Sequence, residues 1–166
     1  MIAEYLMIDT DALDSLMDLG NEALFDKLVE LEESKKFEAI DIDKVWDALH
    51  YFLTGVSAGT PIDANKLSEA VVGIHNFILD DEAYFITCIE NDELPMVITA
   101  LEGFDFDAQA SQFEPQALKK YNIYPMGIWN DDKDQLLIQF KLFISLLINF
   151  YKQAFEMRHH VIVSIL

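Results

Sequence analysis

The polar residues between Asp43 and Thr54 have the side chains and the spacing to bind a metal ion or to share a proton. Separations of four, three and four residues place four of them on one face of a predicted helix: Asp43, Asp47, His50 and Thr54. Two carboxylates and an imidazole on one face could ligate a metal ion or act as an acid–base pair. The sequence places no further ligands beside them. We therefore favour a structural role, with Asp43 as the helix cap and Asp47 as a salt partner of His50 on a solvated face.

The five residues that follow this helix, Gly55-Val56-Ser57-Ala58-Gly59, match the G-x-S-x-G nucleophile elbow of serine hydrolases. An acid at Asp80-Asp81 and a histidine at His159-His160 follow in the chain order of those enzymes. The elbow exposes its serine only at a turn from a strand to a helix, whereas here a helix precedes the motif and Thr60-Pro61 follows it. We therefore expect a helix end and a turn, with Ser57 as a candidate pocket residue.

Three further residues join these in a candidate pocket. Trp46 lies on the apolar face of the same helix, His75 follows Gly73, and Tyr124 precedes Pro125 in a rigid extended corner. His75 is either a hydrogen-bonded core histidine or a member of the pocket, and both alternatives remain open. The candidate set is Asp43, Trp46, Asp47, His50, Ser57, His75 and Tyr124. We assign none of these residues a catalytic or metal-binding role, and we expect no cofactor.

Hydrophobic periodicity and helix-end signals predict strands that alternate with helices along the chain. Extended segments are predicted at 3–8, 37–42, 83–89, 123–129 and 161–166. Helices are predicted from Asp11 to Gly20, over 21–33, 43–54, 64–72 and 91–101, as shorter pieces across 103–122, and over 131–157. Such interleaving is typical of a layered α/β or α+β domain, and we expect residues 1–166 to form one domain.

The longest predicted helix contains a segment, 135–151, in which Lys141 is the only charged residue. Its polar residues recur at helical spacing as one narrow stripe: Lys141, Ser145, Asn149 and Lys152. A helix that is apolar on nearly all sides is either the central helix of a globular protein or a membrane span. The regular polar stripe and the acidic remainder of the chain favour the globular alternative, so we expect no membrane partner.

The chain is strongly acidic. Its 166 residues include 30 carboxylates against 11 lysines and arginines, so the formal net charge is −19. This charge and the single arginine, Arg158, argue against nucleic-acid binding and phosphoryl transfer, which rely on Lys and Arg to contact phosphate. Either solubility or an acidic face that attracts a basic partner protein explains the charge. The single cysteine, Cys88, excludes a disulfide framework, and its apolar neighbours predict a small buried hydrophobe.

Three strings of residues, in this order, point to a known family. The first runs from Asp41 to His50 (DIDKVWDALH) and continues through LTGVSA, the second is LSEAVVG at 67–73 followed by His75, and the third is Ile123-Tyr124-Pro125. Together they resemble the YfbM-like family of small bacterial proteins, a domain of unknown function. The resemblance implies a single cytoplasmic α/β domain, a mixed sheet flanked by helices, and it carries no established activity. The first six residues lack the features of a signal peptide, which agrees with a cytoplasmic location.

Two functional hypotheses follow from the residues. The first is a non-enzymatic acidic binding protein whose partner is a basic protein, for example an immunity-type protein that neutralises a cationic toxin. The alternative is a small-ligand-binding domain or a hydrolase-like enzyme with a pocket near Trp46 and His50, for which the candidate side chains would have to converge. The sequence leaves the oligomeric state open.

Overall fold

A computed structural model describes residues 1–80 and 82–166 of the chain. The strands are β1 (Ala3–Ile8), β2 (Ala39–Asp41), β3 (His75–Asn76), β4 (Phe85–Ile89) and β5 (His160–Ile165). The helices are α1 (Thr10–Leu16), α2 (Asn21–Glu33), α3 (Trp46–Thr54), α4 (Lys66–Val72), α5 (Leu94–Glu102), α6 (Phe106–Gln112), α7 (Pro115–Lys120) and α8 (Lys133–Glu156). Asp81, one of the two acids considered for the hydrolase motif, lies outside the described residues.

The five strands form one sheet in the order β2-β1-β5-β4-β3. The last strand, predicted as extended and rich in β-branched residues, lies in the interior of the sheet between β1 and β4. The layered α/β class is confirmed, but each described pairing is antiparallel, so the expected mixed sheet is corrected to an antiparallel one. Neighbouring strands such as β1 and β5 are joined through several helices, and connections of that length are compatible with either direction.

Alternation along the strands divides the core into two layers. Tyr5 and Met7 point to the face covered by α3, α4, α5 and α8, where the larger buried cluster lies. Leu6 and Ile8 point to the opposite face, which α1 and α2 cover with buried leucines. The sheet is therefore sandwiched between a two-helix layer near the N-terminus and a larger helical layer formed by later parts of the chain.

The long apolar helix is present as α8, and the carboxylate of Asp132 caps it by accepting a hydrogen bond from the Gln135 N–H. It packs one face on the sheet and leaves the other in solvent, where Ile138 and Leu142 are 61% and 62% exposed. It is therefore an outer helix with one exposed face, and its polar stripe extends that face. No helix among the described residues combines the length and apolar character that a membrane crossing requires.

Several local predictions need correction. Helix α1 begins at Thr10 rather than at the predicted Asp11, and Asp9 caps it, because the Asp9 carboxylate accepts the Ala12 N–H. This hydrogen bond and the neighbouring Lys36 ammonium lower the pKa of Asp9. The segment 123–129 is not extended: it turns into a short 3₁₀ helix at Ile128–Asn130, and its backbone bonds locally and to a side chain rather than to a strand. The two-residue strand β3 carries too little pattern to be recognised in the sequence.

Candidate functional site

Asp47 is the centre of the predicted site, and its carboxylate is 4% exposed. Oδ1 accepts hydrogen bonds from the Ser57 hydroxyl at 2.9 Å and from the Ala58 N–H at 2.7 Å. Oδ2 accepts the Tyr124 N–H at 2.8 Å. A buried carboxylate is strongly destabilising unless such donors satisfy it. Asp47 therefore joins α3 to two loops, the loop that follows α3 and the loop that follows α7. Its role is to hold those loops in place.

His50 lies one turn further along α3 and is fully buried. Nδ1 is 2.9 Å from the Val56 carbonyl oxygen, which can only accept, so Nδ1 carries the proton and donates. Nε2 then accepts the Ser68 hydroxyl at 2.7 Å, and the Ser68 oxygen accepts the Ile62 N–H at 3.1 Å. Burial lowers the pKa of His50 and outweighs the opposing effects of its bond to Val56 and of the Asp47 charge. The imidazole is therefore neutral near pH 7.

Trp46 and Tyr124 pack against each other, with ring centroids 5.5 Å apart. The indole N–H of Trp46 donates to the Met1 carbonyl at 3.4 Å, and the Met1 ammonium donates to the Tyr124 hydroxyl oxygen at 3.1 Å. A cavity of about 280 Å³ lies beside Trp46 and is lined mainly by apolar groups, among them Phe85 and Ile165. This cavity offers shape and apolar surface but no carboxylate or imidazole in its described lining.

The structure brings together four of the predicted site residues, Trp46, Asp47, Ser57 and Tyr124, and places His50 on the adjacent turn. Asp43 is exposed ahead of α3 and does not cap the helix, because a 3₁₀ turn at Asp43–Val45 precedes the helix proper. His75 lies apart on the edge strand β3, where its Nε2 contacts Glu93 Oε1 at 2.8 Å. His75 is thus an exposed edge residue, and the predicted pocket does not converge as a unit.

The described residues of the hydrolase motif do not assemble into a catalytic arrangement either. The Ser57 hydroxyl bonds to Asp47, and the Asp80 carboxylate accepts the nearby Glu82 N–H. His160, at the start of β5, contacts the Thr10 hydroxyl and accepts the Asn91 N–H. The expected salt bridge between Asp47 and His50 on a solvated face is wrong. Both residues are buried, and each side chain hydrogen-bonds to other groups of the protein instead. Within the described residues, no group of three or more His, Cys, Asp or Glu side chains is arranged to hold a metal ion.

Sequence reasoning missed Ser68, the buried partner of His50. Ser68 belongs to α4, whose N-terminus Asn65 caps by accepting the Leu67 and Ser68 N–H groups. Its hydroxyl is fully buried, and it is spaced three and four residues from Val71 and Val72, so it shares their buried helix face. A small polar residue on an otherwise apolar face was the available signal. Nothing in the sequence identifies His50 as its partner, because the pair is 18 residues apart.

The surface formed by α1 and α2 is strongly acidic. Residues 9–33, which we call the acidic hairpin, contain α1 and α2 and carry nine carboxylates and one lysine, a formal charge of −8. Among the described residues, ion pairs reach only two of these carboxylates, through Lys36–Asp9 and Lys27–Glu30. Burial and the negative charge of Glu4 raise the pKa of Glu32, as expected where carboxylates crowd. The acidic hairpin is therefore a largely unneutralised anionic face.

Known proteins resemble this chain in sequence and in fold. Residues 1–164 match the sequence model of a family described as a domain of unknown function, DUF1877. The chain is 30% identical over 166 residues to the protein YfbM of Escherichia coli strain K12, covering 99% of this chain and 98% of YfbM. The crystal structure of YfbM from Escherichia coli, a protein of unknown function, matches with a TM-score of 0.82 and 30% identity, covering 99% of this chain and 100% of that one. By sequence and by fold, the chain belongs to the DUF1877 family.

Proposed function

We propose that this protein is a non-enzymatic acidic binding protein, and that the acidic hairpin is the surface on which it receives a basic partner protein. The observation that carries the proposal is the concentration of charge. The hairpin holds a formal −8 of the chain's −19 within 25 residues. Unneutralised like charges repel one another in the folded state, so a face of this kind is offset most directly by a cationic partner.

The position of the charged side chains supports this proposal. The carboxylates of Asp11, Asp14, Glu22, Asp26 and Glu33 belong to exposed residues, whereas the leucines of the same helices are buried against the sheet. The hairpin therefore presents its acids outward from a fixed scaffold. A rigid charged face accelerates encounter with an oppositely charged protein and discriminates against anionic ones.

The buried polar groups support a binding role over catalysis. Asp47 and His50, the residues with the best chemistry, already bond to Ser57, Ser68 and backbone groups of the same chain. A general base or nucleophile needs a free position facing substrate. One concrete form of the proposal is an immunity-type protein that neutralises a cationic toxin. A cytoplasmic location belongs to the proposal and agrees with Cys88, a buried free thiol.

The proposal is tested by affinity capture with matched charge variants. The hairpin variant combines Glu22→Gln, Asp26→Asn and Glu33→Gln. The control variant combines Asp107→Asn, Asp134→Asn and Glu156→Gln, which removes the same charge from exposed positions on α6 and α8, on the other side of the sheet. Captured proteins are identified, purified and bound again as pure components at low and high salt.

We expect a basic protein that binds the wild type and the control variant at low salt, and that high salt or the hairpin variant releases. Screening acts over roughly 10 Å at 0.1 M salt, so an electrostatic contact must weaken as salt rises. A partner that is acidic, or binding that neither salt nor the hairpin variant changes, would count against the proposal.

One observation favours the alternative of small-ligand binding near Trp46. The cavity of about 280 Å³ beside the indole has an apolar lining of the kind that ligand sites use. In a Trp129→Phe background Trp46 is the single tryptophan, so its fluorescence reports directly on the cavity. A saturable change with small aromatic compounds, lost in Ala58→Leu, supports this alternative, and an unchanged spectrum across such a series argues against it.

A further inference from the structure

We infer that the basic partner inserts one lysine or arginine side chain into a pocket at the edge of the acidic hairpin, and this inference rests on the proposed function. A cavity of about 170 Å³ lies between the end of α1 and the β3–β4 edge of the sheet. Residues 13 and 16–19 of the hairpin form one side of it. The pocket is therefore continuous with the charged face that the partner is proposed to contact. We call it the edge pocket.

Six of the ten residues that line the edge pocket are apolar: Leu13, Leu16, Met17, Leu19, Phe77 and Cys88. Leu13 and Leu16 of α1 contribute buried side chains, Phe77 contributes a half-buried ring, and Cys88 of β4 is 4% exposed. Burial and the nearby charges of Glu90 and Glu93 raise the pKa of the Cys88 thiol to about 12, so the thiol is neutral near pH 7. Lysine and arginine carry long apolar stems that pack on such walls while their charged ends stay near water.

The rim of the edge pocket is anionic. Asp18 and Glu90 are exposed residues in its lining, and neither forms an ion pair with any described residue. The third ionisable group at the rim, His75, has its Nε2 in contact with Glu93. The described lining includes no lysine or arginine. Two carboxylates in the lining of a mainly apolar pocket complement a side chain with an apolar stem and a cationic end.

The same features argue against other occupants. A divalent cation is not supported, because no group of three or more His, Cys, Asp or Glu side chains among the described residues is arranged to hold a metal ion. A neutral apolar side chain would contact the apolar residues but leave the carboxylates without a counter-charge. A basic side chain satisfies both parts of the pocket at once, and a cationic partner presents many of them.

The test uses hexaarginine as the probe and hexacitrulline as its control, because citrulline keeps the shape of arginine without the charge. The rim variant Asp18→Asn/Glu90→Gln removes two charges at the pocket. Asp18 has a φ of 62°, a conformation that asparagine adopts readily, so this variant suits the fold. The matched variant Asp26→Asn/Glu33→Gln removes two charges elsewhere on the acidic hairpin. Binding is followed by fluorescence anisotropy of labelled peptide, and location by amide chemical shifts.

We expect hexaarginine to bind the wild type far more tightly than hexacitrulline does. The rim variant should weaken it by roughly tenfold, the effect of losing one or two charge-assisted contacts, and the matched variant by about twofold. In the wild type the amides of Leu16, Phe77 and Cys88 should shift more than those of α2. This second readout does not depend on any variant.

Different failures have different meanings. If hexaarginine binds but the rim and matched variants weaken it equally, or if the shifts map to α2 alone, the edge pocket is overturned while the proposed function stands. If hexaarginine does not bind even at low salt, the proposed function itself is contradicted. Equal binding of hexacitrulline would overturn recognition by charge.

Discussion

At the scale of single residues, the polar side chains of α3 form hydrogen bonds that connect the helix to the segments around it. Asp47 holds Ser57, Ala58 and Tyr124, while His50 connects Val56 to Ser68. Both buried side chains are satisfied by partners outside α3, which is the condition for burying them without a large loss of stability. The spacing that suggests a metal site is thus used for structural hydrogen bonds.

Replacing Asp47 by asparagine should destabilise the protein. The amide oxygen can keep the Ser57 and Ala58 donors on one side, but the amide NH₂ then faces the Tyr124 N–H, which is also a donor. We expect Asp47→Asn to lower the free energy of unfolding by about 2–3 kcal/mol, measured by urea denaturation. The exposed Asp43→Asn should change it by less than about 0.5 kcal/mol. Equal effects at the two positions would show that the Asp47 bonds contribute little.

The neutral state of His50 predicts a dependence of stability on pH. Because folding lowers its pKa below the ordinary value of 6.5, the unfolded chain binds the proton more readily. Stability contributed by this residue is therefore present above pH 6.5 and is lost as the pH falls below it, by at most about 1.4 kcal/mol per pH unit. The difference in unfolding free energy between wild type and His50→Gln should shrink from pH 7 to pH 5. A constant difference would contradict a buried neutral imidazole.

The scale of elements shows where the sequence is informative. Strand β1 and the long helix α8 follow from strong periodicity, a capping Asp132 and a run of β-branched or apolar residues. The helix end at Gly55 follows from its φ of 82°, which glycine adopts without strain. Short features are different. Strand β3 and the turn around Tyr124 are held by residues distant in the sequence, and the local sequence does not indicate those partners.

The junction of α4 with the sheet yields a prediction at this scale. Gly73 ends α4 with a φ of 78°, and a Cβ there would overlap the Thr87 side chain, whose hydroxyl donates to the Val72 carbonyl. Both backbone strain and a clash follow, so Gly73→Ala should lower the free energy of unfolding by about 2–4 kcal/mol. The control is Gly59→Ala, where a Cβ meets only an ordinary contact at 3.5 Å. Thermal unfolding compares the two, and a Gly73→Ala protein as stable as its control would refute the packing described.

The candidate site illustrates the same limit of sequence reasoning. Periodicity correctly places Asp47 and His50 on one helix, and the motif that contains Ser57 is correctly interpreted as a helix end and turn. The sequence pattern does not show which elements contact each other in the folded protein. It did not indicate that Ser68 would reach His50, or that His75 would lie at the sheet edge beside Glu93, because both contacts depend on how α4 and β3 pack.

At the scale of the whole molecule, the net charge of −19 should itself reduce stability. Repulsion among exposed carboxylates weakens as salt screens it. We therefore expect the melting temperature to rise between about 10 and 200 mM NaCl, with a smaller rise in the hairpin variant, whose self-repulsion is lower. Scanning calorimetry measures both. A melting temperature that falls with salt would mean that ion pairs, rather than repulsion, dominate the surface.

Association kinetics test most directly whether the acidic hairpin receives a basic partner protein. The measurement is the association rate constant between this protein and its purified basic partner, as a function of ionic strength. For the wild type and the control variant, we expect a fall of roughly tenfold or more between about 20 and 500 mM NaCl, with a markedly lower rate and a shallower slope for the hairpin variant. Rates that are independent of salt and equal for the hairpin and control variants would contradict the claim.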